Sequence, residues 1–393
     1  MIVNVEDFKE NGLHAIQSAI DSCDAGTVII PNGTWHSGPI HLKSNLTLHL
    51  EDNATVIFSD NPDDYLPVVF TRWEGVECYN YSPLIYAKGC HDIAITGKGT
   101  LIGSGEAWWN WKQLQQATAN ELVSAEYNHI PVEKRIYGTR EAALRPQFLQ
   151  LIDCKEVLLQ NLTIKDGPQW TIHPVYCENV VIQGVSVLTS GHNTDGINPD
   201  SCKDVLIENC KLSTGDDCIA INAGINEDGW RVNKPCENIE IRNCEMFGGH
   251  GAVVIGSAIS GGVRNIHIHD CKIRDTMQGI RLKSMRGRGG YIENARFENI
   301  EIENVTQQAI QVTMFYEFST VIPKSDKPSD FSGIEIKNVH GSSLKTGIQI
   351  KGLPEHKIND LTLKNITLTA CNDAFTCSDV KNLHAMDIHV TVN

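Results

Sequence analysis

Asn179-Val-Val-Ile-Gln-Gly184-Val-Ser-Val187, Asp204-Val-Leu-Ile-Glu-Asn209-Cys-Lys-Leu212 and Asn238-Ile-Glu-Ile-Arg-Asn243-Cys-Glu-Met246 are three copies of one phrase. Each joins a short β-rich run to a second one through a single turn residue. An earlier copy centres on Asn161, and later ones on Asp270, Asn299, Asn338, Asn365 and Asp387. Successive turn residues lie about 22–39 positions apart, most under 30, which is the period of a solenoid with insertions. All nine turn positions hold Asn, Asp or Gly, the residues that tolerate a left-handed backbone. One tight bend per coil explains that restriction, and stacked Asn side chains would bond along the axis as a ladder. Cys210, Cys244 and Cys271 each follow a turn residue, which predicts a buried structural column rather than a metal site.

Working outward, residues 11–23 read as a helix with Leu13, Ile16, Ile20 and Cys23 on one face. Placed there, it would cover the open end of a parallel solenoid. Two stretches, 60–86 and 104–148, break the rhythm and are rich in aromatics. Long insertions on a rigid scaffold usually carry binding function, so both are expected to flank a substrate cleft. With no linker-like or low-complexity tract, residues 1–393 are expected to form one domain.

The chain has 393 residues and a formal net charge of −15, which argues against nucleic acid as a partner. A polyanionic ligand would need a local basic patch to overcome that field. No apolar run approaches membrane-spanning length, and the first residues show no secretory pattern. Thirteen cysteines, an odd count without a C-x-x-C pair, fit buried thiols in a reducing compartment. The expectation is a cytoplasmic protein of open oligomeric state, or a secreted one if a signal has been removed from this sequence.

Four strings fall on successive repeats: Asn193-Thr194-Asp195-Gly196, Gly215-Asp216-Asp217-Cys218, Gly249-His250-Gly251 and Arg281-Leu282-Lys283. Residues one coil apart sit one strand spacing apart, about 4.7–4.9 Å. Three carboxylates, a histidine and two cations are therefore expected on one strip. Hydrolysis of a glycoside needs one carboxyl to protonate the leaving oxygen and another to activate water or attack. Crowded carboxylates raise at least one pKa, which keeps an acid protonated near neutral pH. His250 would hold or tune that acid. Arg281 and Lys283, two apart on one strand, point the same way and suit a sugar carboxylate. Arg286 and Arg288 add positive charge in a Gly-rich loop, and Trp170 and His173, one coil before Asp195, suit either sugar stacking or the core.

In that order, with each string on its own repeat, the chain resembles the polygalacturonases, glycoside hydrolase family 28, over nearly its whole length. The resemblance implies an all-β, right-handed parallel β-helix that hydrolyses α-1,4-linked galacturonic acid with inversion and without metal or cofactor. By the same resemblance Asp216 is the general acid, Asp195 and Asp217 activate the attacking water, and His250 supports the acid. Asn193, Arg281, Lys283 and, by a looser match, Tyr316 would bind substrate. Leu282 stands where the family usually has Ile, and Asn198 where relatives often carry another acid. One strand spacing between carboxylates lies nearer the separation of retaining enzymes than of inverting ones, and spacing along the chain leaves this open.

The partner implied is an acidic oligosaccharide. An exo-acting galacturonidase on oligogalacturonides is expected, because a cytoplasmic enzyme meets short chains and the insertions would wall one end of the cleft. Alternatives are an endo-polygalacturonase, a hydrolase of rhamnogalacturonan or xylogalacturonan, a calcium-dependent pectate lyase with Asp216 and Asp217 as ligands, and a solenoid that only binds glycans.

Overall fold

The structure is a computed structural model that describes residues 1–316 and 326–393. The chain winds into a parallel β-solenoid. In the coil at 149–165, strands Leu149–Ile152, Lys155–Gln160 and Thr163–Lys165 form three faces, and each pairs in parallel register with the strand one coil on. Alternate side chains of these strands point inward and are buried, such as Val157 and Leu159, then Val180 and Ile182, then Val205 and Ile207. Stacked aliphatic columns of this kind make one core running the length of the axis.

All nine turn residues named above have left-handed φ, between 51° and 64°. From Val263 onward the bend no longer interrupts the strand: Val263–Arg274, Tyr291–Val305, Asp330–Ser343 and Ile358–Ala370 each run through two faces and turn at that residue. The ladder forms on the surface. Asn299 Nδ2 donates to Asp270 Oδ1 (2.9 Å), Asn338 to Asn299 (3.0 Å) and Asn365 to Asn338 (2.9 Å). A second ladder runs from Asn294 through Asn265 and Asn238 to Asp204, at the bend where each copy begins.

Cys210, Cys244 and Cys271 are buried in a column, and Cys154, Cys177, Cys202 and Cys236 form another at the preceding corner. All thirteen cysteines are free thiols.

The N-terminal cap differs in its bounds from the expected helix at 11–23. A 3-10 segment spans Val5–His14, and the α-helix begins only at Ala15 and ends at Ser22. Gly12 is the cause, since its left-handed φ of 56° breaks the helical path. Ile16, Ile20 and Cys23 are buried as expected, whereas Leu13 lies before the helix and is exposed.

The first insertion carries an antiparallel hairpin, Val69–Trp73 with Val76–Asn80. It ends before residue 86, because Ile85–Lys88 is a solenoid strand in register with Leu149–Ile152. The second insertion contains helices Glu106–Trp109, Trp111–Leu114 and Gln116–Tyr127. Most of its aromatics serve packing rather than binding. Trp108 is buried, with its ring edge-on to Tyr65 (5.7 Å) and Trp111 (5.0 Å), which joins the two insertions, and both Trp108 and Tyr65 belong to the main core. No helix among the described residues is long and apolar enough to cross a membrane.

Candidate active site

The site lies on the solenoid face formed by Ile172–Val175, Ile219–Ile221, Gly251–Ile255 and Gln278–Lys283. Ile197 bridges Ile172 on one side and Ile219 on the other, and Ile219 pairs with Val253. That register sets Asp195 beside Asp217, and Asp217 beside Gly251. One oxygen each from Asp195, Asp216 and Asp217 gathers within 4.8 Å of the others. The expected clustering is what the winding produces.

Both glycines flanking His250 have a steric reason. A Cβ on Gly251 would come within 2.8 Å of Asp217 Oδ1, and one on Gly249, at φ 72°, within 2.1 Å of the Asp216 carbonyl oxygen. Only glycine lets this coil pass so close under the acids.

Each acid has a different partner. His250 Nδ1 lies 3.0 Å from Asp216 Oδ1. Lys283 Nζ donates to Asp217 Oδ2 at 2.9 Å, with both side chains at least nine-tenths buried. Among the described residues, Asp195 receives only a neutral donor, the Asn198 amide, at 2.9 Å from Oδ2. The electrostatics follow. Burial, and then the charges of Asp216 and Asp217, push Asp195 well above the usual carboxylate range. Burial also opposes ionisation of Asp216, but the His250 hydrogen bond and charge, with Lys283 behind them, hold it below that range. The bond to Asp216 raises His250. Burial and crowding therefore favour the neutral form of Asp195, while the bond to His250 favours an ionised Asp216 and a protonated imidazole.

Lys283 thus sits against an acid, although it was expected to bind substrate. Arg281 Nε donates to Gln311 Oε1 (2.8 Å) and its guanidinium lies 5.4 Å from the Tyr316 ring centroid, with Lys283 Nζ at 4.8 Å from the same ring. Asn193, at φ 57°, has its amide oxygen bound by Arg145 Nη2 at 2.9 Å. Arg145 is a residue that sequence reading missed. Wholly buried, it also donates to the carbonyls of Pro168 and His192 and to Gln115, so it ties the helical insertion to the turn bearing Asp195. Burial lowers its pKa to about 10. Only its place at the end of an insertion marked it. His173 belongs to the core, between Gln150 (2.9 Å) and Asp200 (3.3 Å), while Trp170 edges onto the cleft. Arg286 pairs with Glu355 and Arg288 donates to Asn226, and both line the cleft.

The cleft above the acids has a volume of about 1180 Å³. Beyond the strip described, the insertions add Trp73 and Glu74 at the hairpin tip and Lys112, Asn120 and Tyr127 from the helical segment, and Asn226, Ser257 and Met285 line it from other loops.

The family model described as glycosyl hydrolases family 28 matches residues 23–386. A hyperthermoactive exopolygalacturonase from Thermotoga maritima has a similar structure, with TM-score 0.90 and 34% identity over 98% of this chain and 91% of that one. A "Probable polygalacturonase" of Vitis vinifera is 27% identical over 90% of this chain and 70% of its own length. An exo-poly-alpha-D-galacturonosidase of Dickeya chrysanthemi is 27% identical over 86% of this chain, which spans 62% of that relative.

Proposed function

Because this chain belongs to glycosyl hydrolases family 28, we propose that it is an exo-acting galacturonidase releasing terminal residues from oligogalacturonides by inverting hydrolysis. The observation that carries the reading is the division of partners among the three aspartates, inside a cleft lined in part by the two insertions. Asp216 shares a proton with exposed His250 and delivers it to the leaving oxygen. Asp195 and Asp217 orient and deprotonate water. The Lys283 ammonium holds Asp217 Oδ2, which leaves Oδ1 to take the proton of the water. The acids are closer together than in most inverting pairs, about 6.5–9.5 Å apart, so the reading rests on partners rather than on separation.

Inversion in the productive state needs the proton moved: Asp216 protonated and Asp195 ionised, the reverse of the free site. Binding a uronate beside Arg281 adds negative charge to the Asp216–His250 side, which favours a proton there. His250 lies on the coil C-terminal to the acids, so the leaving chain extends that way and the glycone faces the hairpin. Arg281, Tyr316 and Asn193 bind the substrate, with Lys283 tuning Asp217.

The thirteen unpaired thiols support a reducing, cytoplasmic setting for the enzyme. Product analysis on tri-galacturonate tests the proposal. Monomer and dimer, with a first-formed β-anomer by proton NMR, are expected. An α-anomer would refute inversion, early mid-chain cutting of polymer would refute exo action, and an unsaturated product abolished by chelator would replace hydrolysis with elimination.

A further inference from the structure

The wall of the cleft contains a carboxylate, which is odd in a pocket for a polyacid. Glu74 sits at the tip of the hairpin between Trp73 and Gly75, with a left-handed φ of 43°. The tip is held firmly. Arg72, one turn before it, bonds Asp200 Oδ1 and Ser201 Oγ at 2.9 Å with no exposed surface. Trp73 Nε1 donates to the Arg145 carbonyl, and a Cβ on Gly75 would press on Ile225 at 3.2 Å. Gln169 Nε2 in turn donates to Glu74 Oε1 at 2.9 Å.

Gln169 and Trp170 lie on the coil before Asp195, since the Thr171 amide donates to the Asp195 carbonyl and Ile172 bridges Ile197. Through Gln169, Glu74 is therefore tied to the coil one rung, about 4.8 Å along the axis, before the acids, on the glycone side of the reading above. That is close to the length of one sugar. A galacturonate with its C1 at the acids would bring its O4 to the hairpin tip. At a chain terminus O4 is a free hydroxyl and a donor. Inside a chain O4 is an ether, and the next residue brings another carboxylate against Glu74.

We propose that Glu74 reads the chain end: its carboxylate accepts a hydrogen bond from the terminal 4-hydroxyl and repels the uronate of any residue beyond it. This rests on the exo reading above and adds the group that enforces it. A site built to bond a hydroxyl rejects the analogue that lacks it far more strongly than a merely apolar wall does.

The test uses the full chain and two trimers: saturated tri-galacturonate, and the trimer whose non-reducing residue is 4,5-unsaturated and has no 4-hydroxyl. The unmodified protein is expected to prefer the saturated trimer by about 100-fold or more in kcat/KM. Glu74→Ala should reduce that preference to within about tenfold. Glu74→Gln, which keeps an acceptor but not the charge, should retain most of the preference while cutting longer chains internally more often. A selectivity ratio is insensitive to partial misfolding, which lowers both rates together. An unmodified protein that cuts both trimers equally, or a Glu74→Ala protein with unchanged preference, would overturn the role of Glu74 and leave the hydrolase standing. A protein inert on both trimers would overturn the parent reading and this one with it.

Discussion

Replacing Lys283 with Met separates two roles for this lysine. The ammonium lies 2.9 Å from Asp217 Oδ2, with 8% and 5% of the two side chains exposed. Removing one member of so buried a pair costs about 3–5 kcal/mol if the other stays charged. The neighbouring acids that Lys283 draws downward, Asp195 and Asp216, respond by binding protons more readily, and each pH unit is worth about 1.36 kcal/mol. The apparent pKa of the acidic cluster should then rise by about two units or more. The sign is fixed by the roles: activity needs an ionised base, so it falls as pH drops through the raised pKa. The acid limb of kcat/KM should therefore shift upward, with kcat near pH 5 reduced about 100-fold or more and partial recovery toward pH 8. A substrate-binding role alone predicts something else, namely a raised KM with kcat and both limbs in place. That result would refute the argument made here from the Lys283–Asp217 contact.

Other changes test other links. His250→Ala removes the partner that holds Asp216 ionised; kcat should fall by about 10²–10⁴, with Asp216 titrating higher by carboxyl NMR, and an unmoved Asp216 would contradict the pairing. Arg72→Met leaves Asp200 buried beside His173 without its cation, so urea unfolding should show a loss of about 3–5 kcal/mol; a loss under 1 kcal/mol would mean the pair is solvated. Asn299→Ala puts at φ 55° a residue without the polar side chain that lets Asn tolerate it, and cuts the ladder, at a cost of about 1–2 kcal/mol. Asn299→Gly should cost less, and equal losses in both would place the energy in the ladder rather than in the bend.

The restriction of one repeat position to Asn, Asp and Gly disclosed the coil, because a left-handed bend admits few residues. The acidic trio was legible for a related reason, since periodic winding turns sequence order into adjacency. What stayed hidden depends on contacts across the coil. Nothing in the spacing of Arg281 and Lys283 says that the lysine bends back to Asp217 while the arginine turns to Gln311. The aromatic-rich insertion at 104–148 was expected to flank the cleft, yet its Trp108 is buried against Tyr65, because insertions must first attach themselves. Leu13 kept a helical spacing that Gly12 overruled. The second ladder escaped notice although its residues, Asp204 and Asn238, open the quoted copies; the first letter of a strand does not look like a corner.

The regular rise of the coils makes this protein a ruler. The strand-borne groups facing the cleft are stepped in units of one rung, and a rung is close to the length of one sugar. Duplicating a whole coil beyond Lys283 would add graduations on the open side without disturbing the acids, whereas removing the hairpin would erase the zero mark from which the scale is read.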